Sequence, residues 1–367
     1  MAPLRIAFTV FLALHGLIHL LGSAKAFGWS DVSQLRSPIS ATMGLLWLLT
    51  AVLFVAGAIS FALRAPWWWY VTLPAVVLSQ WLIVTVWSDA RFGTIANAII
   101  LIPVIVAALD GRASSFSSRF ARDRAVLLAR ATPLASLVSE ADLIPLPPLM
   151  QQYLRVMGVV GHPRVHNVRV VFKAQMRSSA NSPWMQSTAV QYEFFHSPAR
   201  LFHMNASRAG IPFDVFHRYV DGTATFQVRI AGLKTMVDKR GAGLTNDETV
   251  TLMNDVLVLA PAAVLDLPFT FESTGAHTLR ATFQNAGYTV SAMLKFNAAG
   301  DLTGFQSADR AHDHDGGAAI WSTPISGYRE VDGIRIGTLG DANWIDSSGE
   351  WTYGKFEIVS IAYNVER

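Results

Sequence analysis

Hydrophobic residues are distributed unevenly along the chain, and four long apolar stretches fill its first 110 residues. Between Ile6 and Ser30 the only charged side chain is Lys25, and none occurs between Ser37 and Leu63. A helix needs about 20 apolar residues to cross a hydrocarbon core of about 30 Å. The pattern therefore predicts membrane-spanning helices over residues 3–22, 39–63, 67–86 and 93–109.

The first and fourth stretches each allow a second interpretation. The first follows Arg5 and ends in small residues, as a cleaved signal peptide does, but its two histidines and the three later stretches favour a retained helix. The fourth has 17 residues and contains Pro103. It either crosses the membrane or forms a re-entrant segment.

Basic residues in the flanks predict the topology, and four crossings divide them seven to three. The majority are Arg5, Arg64, Arg112, Arg119, Arg122, Arg124 and Arg130, and the minority are Lys25, Arg36 and Arg91. Because cytoplasmic flanks carry the excess of basic residues, both termini and the large C-terminal part are expected in the cytoplasm. If the fourth stretch does not cross, that part lies in the periplasm.

Polar side chains interrupt the apolar stretches at similar depth. His15 and His19 are four residues apart, so a helix places them on one face, one turn apart. At about 1.5 Å per residue, Gln80 and Asn97 fall in the same half of the bilayer. The spacing predicts one hydrogen-bonded cluster of these four residues.

Two interpretations of this cluster remain open. Ionisable residues inside a membrane are candidates for function, and imidazoles can ligate a haem or metal ion or relay protons. Neutral imidazoles can equally tie helices together by hydrogen bonds. Because no cysteine or carboxylate lies nearby to complete a ligand set, no cofactor is predicted, with haem or metal at His15 and His19 as the alternative.

A rim of polar and aromatic residues is expected at the membrane surface. It contains Lys25, Trp87, Asp89 and Arg91. Indole rings settle at the level of the lipid headgroups. Asp89 is expected to pair with Arg91 or Lys25.

The chain changes character between residues 111 and 145, where five arginines and paired serines dominate the first 20 positions. Such a basic linker beside a membrane span is suited to anionic headgroups. A short amphipathic helix is expected around residues 120–137. Pro148 suits the first turn of the next helix, predicted over residues 148–157.

From His166 onward apolar residues recur at every second position, which indicates strands. Turn sequences such as Asp221-Gly222 separate successive runs and favour antiparallel hairpins. A helix over residues 246–260, capped by Thr245 or Asn246, interrupts them. These runs predict about ten strands, and they lie within residues 168–173, 190–195, 201–205, 217–220, 223–230, 277–284, 288–296, 302–308, 327–331, 334–344 and 351–365.

The chain therefore divides into a helical membrane bundle over residues 1–110, a linker over 111–145 and an α+β soluble domain over 146–367. The soluble domain is expected to be a large, curved, half-barrel-like antiparallel sheet with a few helices. Its two helices are too small to cover ten strands. An apolar face left open in this way is a natural pocket for a hydrophobic ligand.

Composition narrows the chemistry further. A net charge of +3 without a basic run gives no support for nucleic-acid binding, and the absence of cysteine removes thiolate catalysis. No nucleophile, zinc-protease or phosphate-loop motif occurs, which favours a non-enzymatic role. The segment from His312 to Asp315 is either an exposed loop or a metal site with His312 and His314 as ligands.

Several motifs resemble a family of uncharacterised bacterial membrane proteins. Residues 15–22 (HGLIHLLG) and 87–97 (WSDARFGTIAN) are similar to its N-terminal half. Residues 219–222 (YVDG) and 328–333 (YREVDG) resemble its C-terminal domain of unknown function. The resemblance implies a bacterial inner-membrane location and brings no known activity.

The soluble half also resembles the half-barrel of the LolA-type periplasmic lipoprotein carriers. The similarity lies in the strand order, the single helix in mid-domain and residues 296–302 (FNAAGDL). Those carriers hold acyl chains on the concave face of their sheet, which implies a hydrophobic ligand. They work outside the inner membrane, whereas the basic residues of this chain favour a cytoplasmic domain.

The sequence leaves three functions open. The first is a membrane-anchored, non-enzymatic protein whose β domain binds a lipid or another hydrophobic ligand. The second is a structural or accessory subunit of a larger membrane complex, with the tryptophan-rich bundle as its docking surface. The third is a redox or proton-handling membrane protein that uses His15 and His19.

Overall fold

The computed structural model describes residues 2–33, 35–132, 136–208, 211–311 and 319–366. The chain divides into two compact units, Met1–Arg112 and Ala113–Arg367.

The first unit is built from helices. They are α1 (Ala2–Ile18), α2 (Leu20–Ala26), α3 (Ala41–Ala62), α4 (Trp68–Thr85), α5 (Trp87–Ala90) and α6 (Gly93–Asp110). Within the described residues, four helical segments are long and apolar enough to cross a membrane. They are Pro3–Ala26, Ala41–Ala62, Trp68–Thr85 and Gly93–Asp110. The prediction of four apolar helices is confirmed.

Small residues let the helices of this unit approach closely. A Cβ atom on Gly16 would lie 2.7 Å from Cβ of Phe54, and one on Gly22 would lie 2.3 Å from the ring of Trp47. Both glycines therefore mark places where α1 and α2 pack directly against α3, as is common between membrane helices.

The second unit combines a large sheet with a few helices. The helices are α7 (Phe116–Arg130), α8 (Glu140–Leu143), α9 (Pro148–Val156) and α10 (Ala242–Leu259). The strands are β1 (Asn167–Met176), β2 (Met185–Phe194), β3 (Ala199–Arg208), β4 (Ile211–Val220), β5 (Thr223–Ile230), β6 (Lys234–Arg240), β7 (Phe269–Gly275), β8 (Thr278–Asn285), β9 (Tyr288–Phe296), β10 (Leu302–Ser307), β11 (Ile320–Val331), β12 (Ile334–Asp346) and β13 (Gly349–Tyr363).

The described strands form one sheet in the order β6-β5-β4-β3-β2-β1-β13-β12-β11-β10-β9-β8-β7. Every neighbouring pair is antiparallel. Two meanders, β1–β6 and β7–β13, meet where β1 pairs with β13 and Val168 lies opposite Tyr363. The predicted antiparallel sheet is confirmed, with 13 strands in the described residues rather than about ten.

The sheet curls around helix α10. This helix contacts β5 and β6 near one edge and also β9 and β10 near the other. A flat sheet with strands about 4.8 Å apart would be far wider than a helix of about 10–12 Å. The meanders also meet directly, since Asn285 Nδ2 donates a hydrogen bond to Tyr219 Oη at 2.6 Å. We call the side facing α10 the inner face and the other side the outer face.

The largest core lies between the inner face and helices α9 and α10. Val250, Met253 and Leu257 of α10 are fully buried there. Tyr153 of α9 is also buried and donates its hydroxyl to the carbonyl oxygen of Leu257 at 2.7 Å. The predicted helix over residues 148–157 is confirmed as α9.

Helix α10 starts four residues before its predicted start. Gly241 precedes it with a φ of 107°, a left-handed conformation that favours glycine. The predicted cap at Thr245 or Asn246 is therefore wrong, because both residues lie inside the helix. Thr245 instead donates its hydroxyl to the carbonyl oxygen of Gly241 at 3.0 Å.

Helix α7 covers part of the outer face and belongs to the second unit. Phe116, Phe120 and Leu127 are buried in a small core with Tyr192 of β2 and Phe216 of β4. This helix lies within the segment expected to act as a linker. The apolar side of this amphipathic helix therefore packs against the outer face of the sheet.

Candidate functional site

A cavity of about 530 Å³ lies between the inner face of the sheet and α10. Successive side chains of a strand point to opposite faces, so Phe202, Met204 and Ala206 of β3 all line it. Phe172 of β1 and Phe356 of β13 add further apolar wall. The volume falls within the range of about 300–1,000 Å³ that small-molecule sites occupy.

The cavity is elongated along β3. Arg200 and Arg208 both line it, and a strand rises about 3.3 Å per residue, so the two positions are about 26 Å apart. Arg200 lies opposite Tyr219 on β4, at the end that the bond from Asn285 closes. Arg208 is exposed. Arg200 therefore marks the inner end of the cavity and Arg208 its mouth.

A buried cluster of charged groups occupies the inner end. Arg200 donates from Nε to Oδ2 of Asp255 at 2.8 Å and from Nη1 to Oε2 of Glu248 at 3.1 Å. Its Nη2 donates to Oε1 of Gln191 at 3.1 Å. Glu248 and Asp255 are seven residues apart, so two helical turns place both carboxylates on the same face of α10. The cluster therefore joins α10 to β2 and β3.

Glu193 lies beside this cluster and is fully buried. Its Oε1 accepts a hydrogen bond from Gln191 Nε2 at 2.7 Å, whereas its Oε2 has no partner among the described residues. Burial, reinforced by the nearby Asp255 carboxylate, raises the pKa of Glu193 well above its usual range. The neutral acid is therefore its favoured form.

His217 of β4 faces the cavity beside Glu248. Its Nδ1 donates to Oε1 of Glu248 at 3.1 Å, and its ring lies 4.2 Å from that of Phe226. Burial outweighs the attraction of the Glu248 carboxylate and, helped by the Arg200 and Arg310 cations, lowers the pKa of His217, so the neutral ring is favoured. No described residue forms a hydrogen bond with Nε2, which leaves that nitrogen as a free acceptor in the cavity wall.

The charge of Glu248 is held by its neighbours. Burial opposes ionisation, but the N–H donated by His217 and the charges of Arg200 and Arg310 outweigh it and lower the pKa of Glu248 to about 2. With Glu193 neutral, two cations, Arg200 and Arg310, face two carboxylates, Glu248 and Asp255. The described charges of the cluster therefore balance.

Arg310 lines the cavity beside α10. Its guanidinium carbon lies 4.4 Å from the ring centroid of Trp321, and Nη1 donates to Oγ1 of Thr251 at 2.7 Å. Among the described residues, no carboxylate lies within ion-pair distance of it. Arg310 therefore keeps donors available for another group.

The metal site predicted at His312 and His314 lies outside the described residues. Within the described part of the chain, no group of three or more histidine, cysteine, aspartate or glutamate side chains is arranged to hold a metal ion. The cavity itself offers an apolar wall, one imidazole acceptor and guanidinium donors.

In the first unit, the structure brings the four predicted polar residues together. His15 Nε2 donates to Oδ1 of Asn97 at 2.9 Å, and Asn97 Nδ2 donates to Oε1 of Gln80 at 3.1 Å. His19 Nε2 lies 2.9 Å from Oγ of Ser79, which is also 3.1 Å from Oδ1 of Asn97. Ser79 is thus a fifth member of the cluster.

The hydrogen bonds of this cluster use most of the imidazole nitrogens. The carbonyl oxygen of His15 can only accept, so His19 donates to it from Nδ1 at 2.8 Å. Neutral His19 can then only accept at Nε2, where the Ser79 hydroxyl is a donor that it shares with Oδ1 of Asn97. A haem or metal ion on these two rings requires at least one of these bonds to break, so the geometry does not fit a preformed ligand pair.

The membrane rim differs from the expected pairing. Asp89 Oδ2 accepts the backbone N–H groups of Arg36 at 2.8 Å and Ser37 at 2.9 Å. The expected pairing of Asp89 with Arg91 or Lys25 is therefore wrong. Two aligned backbone donors satisfy a carboxylate without immobilising a long cationic side chain.

The other rim residues have their own neighbours. Lys25 Nζ donates to the carbonyl oxygen of Leu35. The guanidinium of Arg91 lies 5.1 Å from the ring centroid of Phe92, and Trp87 is exposed. These residues are spread along the loops rather than joined in one network with Asp89.

The charged cluster of the cavity was not predicted from the sequence, although the sequence contains a signal for it. Arg200 is in phase with Phe202 and Met204, so the alternation of β3 places a cation among inward apolar positions. Glu248 and Asp255 are in phase with the buried residues Leu252 and Leu259 on one face of α10. Charged residues in phase with a predicted core indicate a buried, paired network.

Residues 136–356 match the profile of a family of unknown function, DUF6544. None of the curated proteins compared with the sequence matches it.

Two similar solved structures come from bacteria. A DUF1329 family protein from Desulfovibrio piger has 10% identity and a TM-score of 0.35, over 63% of this chain and 95% of that chain. A LolA superfamily protein from Nitrosomonas europaea has 9% identity and a TM-score of 0.34, over 59% of this chain and 94% of that chain. At these values the similarity assigns no function.

The family match covers more than half of the chain and confirms the predicted relationship of its C-terminal part to a domain of unknown function. The chain therefore belongs to the DUF6544 family.

Proposed function

We propose that this chain is a membrane-anchored, non-enzymatic binding protein that holds a lipid or another hydrophobic ligand in the cavity of its second unit. The observation that carries the proposal is the cavity of about 530 Å³ between α10 and the inner face. A bilayer, to which the four apolar helices of the first unit are suited, is a ready source of such molecules.

The wall of the cavity supports an apolar ligand of variable shape. Met176, Met185 and Met204 line it together with aromatic side chains such as Phe172 and Phe213. Methionine side chains are flexible and polarisable, so they adapt to different apolar partners. Such a wall favours contact with an acyl chain or a similar flexible tail.

We also propose that the second unit lies on the cytoplasmic side of a bacterial inner membrane. The proposal rests on the basic majority in the flanks of the apolar helices. A fluorescent protein fused after residue 367 is expected to be fluorescent, and an alkaline phosphatase fusion at the same point is expected to be inactive. The opposite pair of results would place the unit in the periplasm.

The ligand proposal is tested with the full chain in lipid nanodiscs. The probe is the methyl ester of a long-chain fatty acid that carries a photoreactive diazirine in its tail. After illumination and digestion, mass spectrometry is expected to find the label on cavity peptides of β3 and β12, in addition to membrane helices. Label confined to the helices would overturn the proposal.

A cavity-filling variant provides the specific control. Gly340 lines the cavity, and a Cβ atom there would lie 3.9 Å from its nearest neighbour, the carbonyl oxygen of Pro324. Gly340→Leu is therefore expected to fold and to reduce labelling of the cavity peptides several-fold. Gly243→Leu adds the same side chain where a Cβ meets nothing within 4 Å, and it should leave labelling unchanged.

A further inference from the structure

The inner end of the cavity offers a free acceptor and a free cationic donor to the same ligand. His217 Nε2 has no hydrogen-bond partner among the described residues, because Glu248 holds the other ring nitrogen. Arg310 lines the same cavity, and within the described part of the chain its polar contact is with Thr251. The proposed function rests on the apolar wall of the cavity and gives these two groups no role.

We infer that the ligand is an amphiphile ending in a carboxylic acid, whose head lies at the inner end against His217 and Arg310. This inference rests on the proposed function and adds the chemistry of the head group. The acid O–H donates to Nε2 of His217, and the carbonyl oxygen of the acid accepts from the Arg310 guanidinium. The tail runs along β3 towards Arg208.

The charge balance of the cluster favours an acid over other head groups. Arg200 and Arg310 are already balanced by Glu248 and Asp255, and Glu193 is neutral. A phosphate would add negative charge, and an ammonium would add positive charge, to a site with little solvent screening. An acid that enters with its proton adds no net charge.

The electrostatics of His217 agree with this arrangement. Its ring is faced by Arg200 from β3, by Glu248 from α10 and by Arg310. Burial and the two cations lower the pKa of His217, so its ordinary state at neutral pH is an acceptor at Nε2. A neutral acid supplies the donor that this nitrogen lacks.

The dimensions also fit a long tail. The inner positions of β3 between Arg200 and Arg208 are Phe202, Met204 and Ala206, all of which line the cavity. They extend the apolar wall over most of the distance of about 26 Å between the two arginines. A single extended tail therefore contacts apolar side chains from the head to the mouth.

The test compares two probes that differ only in the head group. Full-length protein in nanodiscs is photolabelled with a diazirine-bearing fatty acid and, separately, with its methyl ester, each at a series of concentrations. The concentration for half-maximal labelling of cavity peptides is expected to be at least tenfold lower for the acid, because the ester lacks the O–H donor. Labelling of the membrane helices serves as the internal reference.

Two variants address the proposed contacts. His217→Asn keeps an N–H for Glu248 but has no equivalent of Nε2, and Arg310→Met keeps an aliphatic stem over Trp321. Each is expected to remove most of the preference for the acid while labelling by the ester persists. Arg208→Met makes the same replacement at the mouth and is expected to keep the preference.

The possible outcomes distinguish the head-group assignment from the binding function on which it rests. Equal labelling of cavity peptides by acid and ester overturns the head-group assignment and leaves the binding function intact. A preference lost in Arg208→Met but kept in Arg310→Met also overturns it, because the head would then lie at the mouth. Absence of cavity labelling by both probes overturns both proposals.

Discussion

Arg200 of strand β3 donates a hydrogen bond from Nε to Oδ2 of Asp255 on helix α10, at 2.8 Å. Both side chains are largely removed from solvent, with exposed fractions of 8% and 13%. The pair ties the curled sheet to the helix that it surrounds. It therefore marks the inner end of the cavity and also stabilises the second unit.

Replacement of Arg200 is expected to destabilise the second unit strongly. Arg200→Met leaves Asp255 and Glu248 buried without their shared cation, and loss of one partner of a buried ion pair costs about 3–5 kcal/mol. Thermal unfolding of the full chain in detergent, followed by tryptophan fluorescence, measures the loss. Arg240→Met removes a cation from the exposed pair with Asp238 and should change the unfolding temperature little. Equal effects of the two variants would contradict the structural role of Arg200.

Glu193 is expected to limit stability at higher pH. Its pKa is raised in the folded protein, so its contribution is fully present below the unfolded pKa of about 4.5 and is lost as pH rises through the folded value. Glu193→Gln keeps a neutral side chain of similar shape. Relative to the parent protein, the free energy of unfolding of the variant should rise by up to about 1.4 kcal/mol per pH unit across that interval. A difference in unfolding free energy that stays constant between pH 5 and 9 would argue against a neutral Glu193.

Glu248 should show the opposite dependence on pH. Its pKa is lowered to about 2, so its stabilising effect is present above pH 4.5 and is lost as pH falls from about 4.5 to about 2. Glu248→Gln is therefore expected to be less stable than the parent at pH 7 and to approach it at low pH. Unfolding curves recorded between pH 7 and 2.5 test this. A gap that persists at the lowest pH would mean that the amide disturbs packing rather than charge.

Asn97 is expected to hold the polar cluster of the first unit together. Asn97→Leu leaves His15 Nε2 without its acceptor and removes the donor to Gln80. Hydrogen bonds between membrane helices contribute about 1 kcal/mol each, so a loss of that order is expected. Resistance of the first unit to denaturation in mixed micelles is the measurement. Ile99→Leu, at an exposed position of the same helix, should have no comparable effect.

Helix α7 is expected to depend on Phe120 for its position on the outer face. This ring is buried and lies 5.9 Å from that of Tyr192. Phe120→Ala should therefore lower the free energy that holds α7 against the sheet by about 3–5 kcal/mol. Hydrogen exchange of the α7 amides should become faster, while that of α10 stays slow. Val126→Ala changes an exposed residue of the same helix and serves as the control. Unchanged exchange in Phe120→Ala would show that other contacts hold the helix.

Local signals were sufficient to predict most of the elements. Apolar length defined the four helices that are long enough to cross a membrane. Paired turn residues such as Asp221 and Gly222 located the hairpins, because both adopt positive φ there. Edge strand β6 gave no such signal. Its residues, Lys234–Arg240, are mostly charged or exposed, since an edge strand buries little of either face.

These local signals did not predict which elements contact one another in the folded protein. Arg200 meets Glu248 and Asp255 only because the sheet curls around α10, and the partners are 48 and 55 positions apart in the chain. Strand β2 is buried on both faces, by the cavity side and by α7, so burial does not alternate from Gln191 to Phe194 although the sequence does. The polar cluster of the membrane helices was easier to predict, because depth in a bilayer follows directly from position in a helix.

The junction of β1 and β13 has a consequence for the order in which the second unit assembles. Each meander grows by hairpins between neighbouring strands, whereas the backbone N–H of His166 reaches Oδ1 of Asn364 across 198 positions. Closing so long a loop is entropically unfavourable, and folding slows as contacts become more distant in sequence. Two half-sheets are therefore expected to form early and to join late, with β13 completing the middle of the sheet as the slow step of folding.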